Sequence, residues 1–451
     1  MATKYCDFRS EPAVGLPYFV PKPRVAAGTA ILPPGHEVTA ESVHPAFRPI
    51  SLRNVTVQNR VWVAPMCMYS SKDGFFSDFH VVHYGQWAMR GAGMITVEQT
   101  AVTETGRNTP QDAGLWSDEH IAPLKRIVDI VHSQCQKVAI QLQHAGRKAG
   151  VSAPWLGLKL VPEEHGGWPD QVYGPTPGGG AWNDNYASPV TLTEKNIFDI
   201  IQAFGDAARR AVVAGVDAIA VHGAHGYLLH SFASAASNER TGDQWGGSFE
   251  NRTRLGLEVV RAIRRNIPDG MPIFYKISAV DWLPESLHGW TLEDTLKFVP
   301  LLVDAGVDLV DISSGGVDRR QKVALGPQYQ VPFAAAVKRL DILGLTVATV
   351  GWVRDAATVS DILTSGNADV VHVAREFLRN PNFVQTVALA TATETAWVDQ
   401  YHRAPTSPYT PATSLVVFQP LSHNAQRGPN NVHNLKHLQA PDSTWIGSRM
   451  A

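Results

Sequence analysis

The chain has 451 residues, 44 % of them hydrophobic and 18 % charged, and a net charge of −2. This is enough apolar material for a large core, with no global basic field to hold a nucleic-acid backbone or an anionic membrane surface, so both partner classes are set aside. No stretch approaches the roughly 20 apolar residues of a membrane-spanning helix.

Residues 1–45 are rich in Pro and Gly and read as an extended N-terminal arm. Within it, Met1–Val20 carries Lys4, Arg9, Glu11 and Pro12 and has no unbroken apolar run, unlike a signal peptide or an anchor. Cys6, Cys67 and Cys135 are too scattered for a disulfide framework or a C-x-x-C cluster. A reducing, cytoplasmic setting is therefore expected.

From 46 to 396 short apolar strands alternate with amphipathic helices. The strands are predicted at Val61–Ala64, Gly93–Glu98, Lys137–Leu142, Val216–Val221, Ile273–Ser278, Leu309–Ser313, Thr346–Val350 and Asp369–Val373. Each is nearly continuous in apolar character, as in parallel strands buried on both faces. Helices are predicted at Asp118–Cys135, Thr193–Ala214, Asn251–Ile267, Leu292–Ala305, Val331–Leu343 and Asp355–Ser365. Ser117, Thr193 and Thr291 serve as caps, and Gly215, Gly306 and Gly344 as stops. Eight strand–helix repeats point to α/β architecture, a closed (β/α)8 TIM barrel. The open doubly wound alternative lacks the G-x-G-x-x-G expected after its first strand. Gly157–Pro189 is a long Gly-rich insertion after the third strand, either a lid or a surface loop. Residues 397–451 form a C-terminal tail, irregular from Thr406 onward.

Barrel chemistry sits at the C-terminal ends of the strands. Those ends carry Ala64-Pro65-Met66-Cys67-Met68-Tyr69, Glu98-Gln99, Gln141 with His144, Arg147 and Lys148, His222-Gly223-Ala224-His225-Gly226-Tyr227, Lys276, Ser313–Gly316, Gly351-Trp352 and Ala374-Arg375. His222 and His225 lack the third ligand of a zinc site. Two other readings remain for the pair: buried histidines satisfied by backbone, or two donors to one oxygen on which negative charge grows during reaction. Tyr227 is the natural proton donor of the group, with a structural tyrosine as the alternative. Gly351 and Arg375, after the seventh and eighth strands, suit a phosphate dianion, with a rim salt bridge as the alternative for Arg375. Lys276 is expected to be an unpaired inward cation awaiting an anionic partner. Cys67 has no activating base fixed by the sequence, and nucleophilic catalysis is not expected of it.

These motifs together resemble the Old Yellow Enzyme family, specifically its thermophilic-like subclass. The match is carried by A-P-M-C-M-Y-S-S (Ala64–Ser71), F-H-V-V-H-Y-G (Phe79–Gly85), Q-L-Q-H-A-G-R-K (Gln141–Lys148), H-G-A-H-G-Y-L-L-H-S-F (His222–Phe232), S-N-E-R-T-G-D-Q-W-G-G-S-F-E-N-R (Ser237–Arg252) and A-R-E-F-L-R-N-P (Ala374–Pro381). The resemblance implies tightly bound FMN, reduction by NADPH or NADH, and hydride transfer to an activated alkene such as an enone or enal. It also implies the site. Positions matching flavin contacts are Ala64, Pro65, Met66, Cys67, Gln99, Gln141, His222, Lys276, Gly351, Ala374 and Arg375, with Cys67 tuning the flavin. Tyr69, His222, His225, Tyr227 and Arg403 match the substrate side, with Tyr227 as acid. Arg403 resembles an arginine supplied by a neighbouring subunit, which implies a homodimer or homotetramer. Three positions depart from the pattern: Lys276 stands where many relatives carry arginine, Gln99 replaces a small residue and Ala374 replaces a glycine.

Overall fold

The computed structural model describes residues 10–32, 42–176 and 185–401. Arg403, Cys6, the Gly178–Gly180 run and residues 402–451 lie outside them. Eight parallel strands close a barrel in sequence order: β1 (Val61–Val63), β2 (Met94–Ala101), β3 (Lys137–Gln143), β4 (Ala218–Gly223), β5 (Ile273–Ser278), β6 (Leu309–Ser313), β7 (Thr346–Thr349) and β8 (Val370–Val373). All eight strands fall within one or two residues of the predicted starts. The continuous apolar runs are explained by burial on both faces.

The interior is graded. At its N-terminal end Trp62, Met94, Ala139, Ala218, Ala220, Phe274, Leu309, Ala348 and Val370 form an apolar plug together with Leu52, Val55 and Val57. The last three belong to an antiparallel hairpin, Ile50–Leu52 with Val55–Val57, that packs into this plug. The plug leaves the polar inward positions at the other end. Register sets His222 opposite Lys276 and Lys276 opposite Asp311 on adjacent strands, so the three share one side of the sheet.

Most helices follow prediction. Helix α3 (Glu194–Ala214) starts with a Thr193–Asn196 capping box and stops at Gly215, and α6 (Leu292–Ala305) does the same with Thr291, Asp294 and Gly306. The helix α7 (Val331–Lys338) ends well before the expected Leu343, so Gly344 opens a turn rather than capping it. The remaining predicted helices are α2 (Ile121–Ser133), α5 (Phe249–Arg265) and α8 (Ala356–Thr364), with the short α9 (Arg375–Arg379) after β8. Three helices were not predicted: α1 (Asp78–Ala88), α4 (Leu228–Ala233) and α10 (Phe383–Ala390). In α1 the buried face is His80, His83, Tyr84 and Trp87 while Phe79 and Val82 face outward, so no apolar stripe marks it.

The described part of the insertion is anchored. Buried Trp168 donates its indole N–H to the Thr105 carbonyl at 3.0 Å, and Tyr173–Gly174 pairs with Val190–Thr191. No helix among the described residues is long and apolar enough to cross a membrane.

Candidate active site

The strands bring a layer of polar side chains to the barrel mouth, above the apolar plug. Lys276 Nζ lies 2.5 Å from Asp311 Oδ2, and His372 Nδ1 lies 3.0 Å from the same oxygen, with all three residues buried. This corrects the expectation of an unpaired cation: Asp311, one strand over, already neutralises Lys276. Burial works against the Asp311 anion, but the His372 and Lys276 charges outweigh it and hold the carboxyl below its usual range. Several buried atoms of this layer have no hydrogen-bond partner among the described residues: Thr96 Oγ1, His222 Nδ1, Asp311 Oδ1 and His372 Nε2. Orphaned buried polar atoms are costly and rare, and a cluster of them calls for a polar ligand.

The rim residues come from the end of β4 and the loop after it. The His222 and His225 rings meet edge to face at 5.0 Å, and His222 and Tyr227 at 4.8 Å. His225 adopts a positive φ of 60° and places Nε2 2.7 Å from Ser313 Oγ. Burial, then the positive charge of Lys276, pushes the His225 pKa down to about 3, and burial likewise holds His222 well below the usual histidine range. Both imidazoles are thus neutral near pH 7, each with one N–H to donate. Lys148 Nζ binds the carbonyls of His225 (2.8 Å) and Gly316 (2.6 Å), tying this loop to the one after β6.

Tyr227 accepts a 2.7 Å hydrogen bond from Asn108 Nδ2, a residue the sequence reading passed over. Asn108 is in turn held by Asp112, whose carboxylate accepts from the Asn108 backbone N–H at 2.8 Å. Burial, then the charges of Asp112 and Glu98, pushes the Cys67 thiol well up, so it is protonated and unreactive, in line with the absence of a base. Tyr69 has a φ of 51° and stacks edge-on against Trp155 at 5.4 Å, at the start of the insertion.

On the other side, a cavity of about 250 Å³ is lined by Ala64, Pro65, His225, Lys276, Gly351, Ala374 and Arg375. A narrower recess beneath it reaches Thr96, Gln141, Asp311 and His372. Predicted cofactor positions from four strand ends, those of β1, β5, β7 and β8, therefore converge on one cavity. Met66 packs against the main apolar core, and Gln99 is buried, pointing Nε2 at Asp112 (3.4 Å). Arg403 falls outside the described residues. The fit to FMN is good. The orphaned nitrogens and hydroxyl suit the polar edge of a flavin, and Arg375, which makes no ion pair among the described residues, suits its phosphate. Thr96, Asp311 and His372 were also missed; Thr96 shares β2 with Glu98, Gln99 and Thr100, whereas Asp311 and His372 each interrupt an apolar run. That signal, read with strand alternation, would have found those two.

A closed (β/α)8 barrel with this mouth is the architecture of a flavin-binding oxidoreductase. A sequence profile of the NADH:flavin oxidoreductase / NADH oxidase family matches residues 45–394. The chain is 43 % identical over 398 residues to the NADH:flavin oxidoreductase FG08077 of Gibberella zeae, covering 86 % of this chain and 94 % of that one. It is 37 % identical over 359 residues to the NADPH dehydrogenase of Bacillus subtilis, covering 79 % and 98 %. Among solved structures, morphinone reductase superposes with a TM-score of 0.63 at 25 % identity, covering 79 % of this chain and 92 % of that chain. The chain belongs to the NADH:flavin oxidoreductase / NADH oxidase family, the Old Yellow Enzyme family that its motifs resemble. It is an enzyme, an FMN-dependent oxidoreductase drawing on NAD(P)H.

Proposed function

We propose that the enzyme reduces the activated C=C bond of α,β-unsaturated carbonyl compounds. The observation that carries this reading is the convergence of two neutral imidazoles and a phenol, His222, His225 and Tyr227, with His225 also lining the cavity. FMN, when bound, would supply the hydride chemistry between NAD(P)H and the alkene β-carbon. His222 and His225 hold the substrate carbonyl oxygen by two N–H donors, which strengthen as negative charge gathers there. Tyr227 gives its proton to the α-carbon. Its pKa is raised, chiefly by burial, so the phenol is protonated at working pH.

Ala64, Pro65, Cys67, Gln141, Lys276, Gly351, Ala374 and Arg375 would hold the flavin, with Arg375 on the phosphate; Met66 and Gln99 would support that wall from behind. Tyr69 closes the substrate side with Trp155 beyond it. On the resemblance of Q-Y-H-R (Gln400–Arg403), Arg403 reaches the substrate side of a neighbouring subunit in a homodimer or homotetramer. The few scattered cysteines favour the cytoplasm.

The test separates the half-reactions by stopped flow, first NADPH against oxidised enzyme, then cyclohexenone against reduced enzyme. Tyr227→Phe should slow the second by roughly 10²-fold or more, the usual worth of a positioned acid, and leave the first nearly unchanged. Reoxidation by oxygen but by no enone or enal would refute the proposal.

A further inference from the structure

We propose that Asn108 is a positioning residue for proton transfer: it fixes the direction of the Tyr227 O–H and stabilises the phenolate left after the proton has gone. The inference rests on reading Tyr227 as the proton donor. An asparagine Nδ2 can donate but cannot accept. With Nδ2 2.7 Å from the phenol oxygen, one phenol lone pair is engaged and the O–H hydrogen must point away from Asn108. The His222 ring lies edge to face with the phenol, 4.8 Å between centroids, and the Lys148 ammonium 5.8 Å from the ring centre.

Asn108 is itself immobilised. Its backbone N–H donates to Asp112 (2.8 Å), its carbonyl accepts from the Val151 N–H (2.7 Å), and it is buried. Neighbouring Arg107 is packed over the Trp116 and Trp168 rings at 5.1 and 4.7 Å, which stiffens the same turn. The amide therefore meets the phenol from a fixed frame and needs no reorganisation when charge appears. In the step itself the Tyr227 O–H bond breaks and a C–H bond forms at the α-carbon. The electron pair stays on the phenolate oxygen, facing the Asn108 N–H, until water restores the proton. Among the described residues Asn108 Oδ1 has no partner, so the amide is held at the phenol by Nδ2 alone.

The experiment compares Asn108→Leu and Asn108→Asp with wild type, and repeats both in the Tyr227→Phe background. Cyclohexenone is the probe, and the two half-reactions are followed across pH on the FMN-loaded enzyme. A hydrogen bond to a charged group of this kind corresponds to about 10- to 100-fold in rate. Asn108→Leu should slow the alkene step by that factor, leave NADPH oxidation unaltered and shift the alkaline limb of the pH profile upward. Asn108→Asp is nearly isosteric and will fold, but it presents an acceptor that captures the phenol hydrogen, so it should be slower than Asn108→Leu. Neither change should cost anything further once Tyr227 is Phe. Wild-type rates in Asn108→Asp, or an undiminished Asn108→Leu loss in the Tyr227→Phe background, would overturn the inference. Tyr227→Phe with an unimpaired alkene step would instead overturn the donor role on which it rests.

Discussion

Asp112 offers a sharp test of how the site is held. It is buried and accepts hydrogen bonds from the Asn108 N–H (2.8 Å), the Thr109 hydroxyl (2.9 Å) and the Gln99 amide (3.4 Å). Burial pushes its pKa up from 3.8 to about 6, with those hydrogen bonds pulling the other way and losing. The folded state therefore holds the Asp112 proton more tightly than the unfolded chain does. The stability this gives is complete below about pH 4 and is lost as the pH rises through 6. A shift of this size corresponds to about 3 kcal/mol at 1.36 kcal/mol per pH unit. Asp112→Asn cannot titrate. It forfeits about one hydrogen bond, roughly 1 kcal/mol, because an amide supplies only one acceptor oxygen. The variant should thus be slightly less stable than wild type at pH 4 and more stable by about 2 kcal/mol at pH 8. Urea unfolding of the FMN-saturated proteins at half-unit pH intervals measures the difference directly. Parallel stability curves would show that Asp112 carries no such burial strain, and the reasoning would fail. The same substitution loosens the clamp on Asn108 and should slow alkene reduction at a pH where the fold has become more stable.

Two other substitutions probe the cavity and its rim. Arg375→Gln should weaken FMN binding by about 10- to 100-fold, the worth of a charge-assisted contact to phosphate, while riboflavin, which has no phosphate, binds as before. Fluorescence titration with both flavins decides it, and equal loss for both would remove Arg375 from the phosphate role. Gly226 has a φ of 74°, and an added Cβ would come within 2.0 Å of the Gly316 carbonyl oxygen. Gly226→Ala should cost about 3 kcal/mol and lower Tm by several degrees, because it separates the two loops that Lys148 ties together. An unchanged Tm in differential scanning calorimetry would contradict that packing.

What the sequence disclosed and what it hid have one physical origin. Strands buried on both faces must be written as unbroken apolar runs, so all eight were legible, and capped helices such as α3 and α6 announced their ends. Helix α1 was not legible because its buried face is built from His80, His83 and Tyr84, which take part in the polar cluster around Glu98. Tyr84 donates to Glu98 Oε2 at 2.8 Å, and Glu98 Oε1 accepts the Met68 backbone N–H at 3.0 Å. That helix thus holds the Cys67–Tyr69 loop in place through hydrogen bonds rather than an apolar stripe.

The site divides in the same way. Groups at strand ends, His222, His225, Tyr227, Lys276 and Arg375, can be picked out from sequence because the fold dictates where the rim lies. Their partners were hidden, because pairing is set by register across strands and by turns distant in sequence. Asp311 neutralises Lys276 from the next strand, and His372 approaches the same carboxylate from β8, two strands along. Asn108 reaches Tyr227 across 119 residues of chain. A cation judged alone looked as though it needed a ligand's charge. With Asp311 in place, the demand for a ligand passes to the orphaned hydroxyl and nitrogens, Thr96 Oγ1, His222 Nδ1 and His372 Nε2. A flavin meets that demand through hydrogen bonds more than through charge. It follows that removing Lys276 alone, which would leave Asp311 facing His372, should disturb flavin binding less than its place at the centre of the mouth would imply.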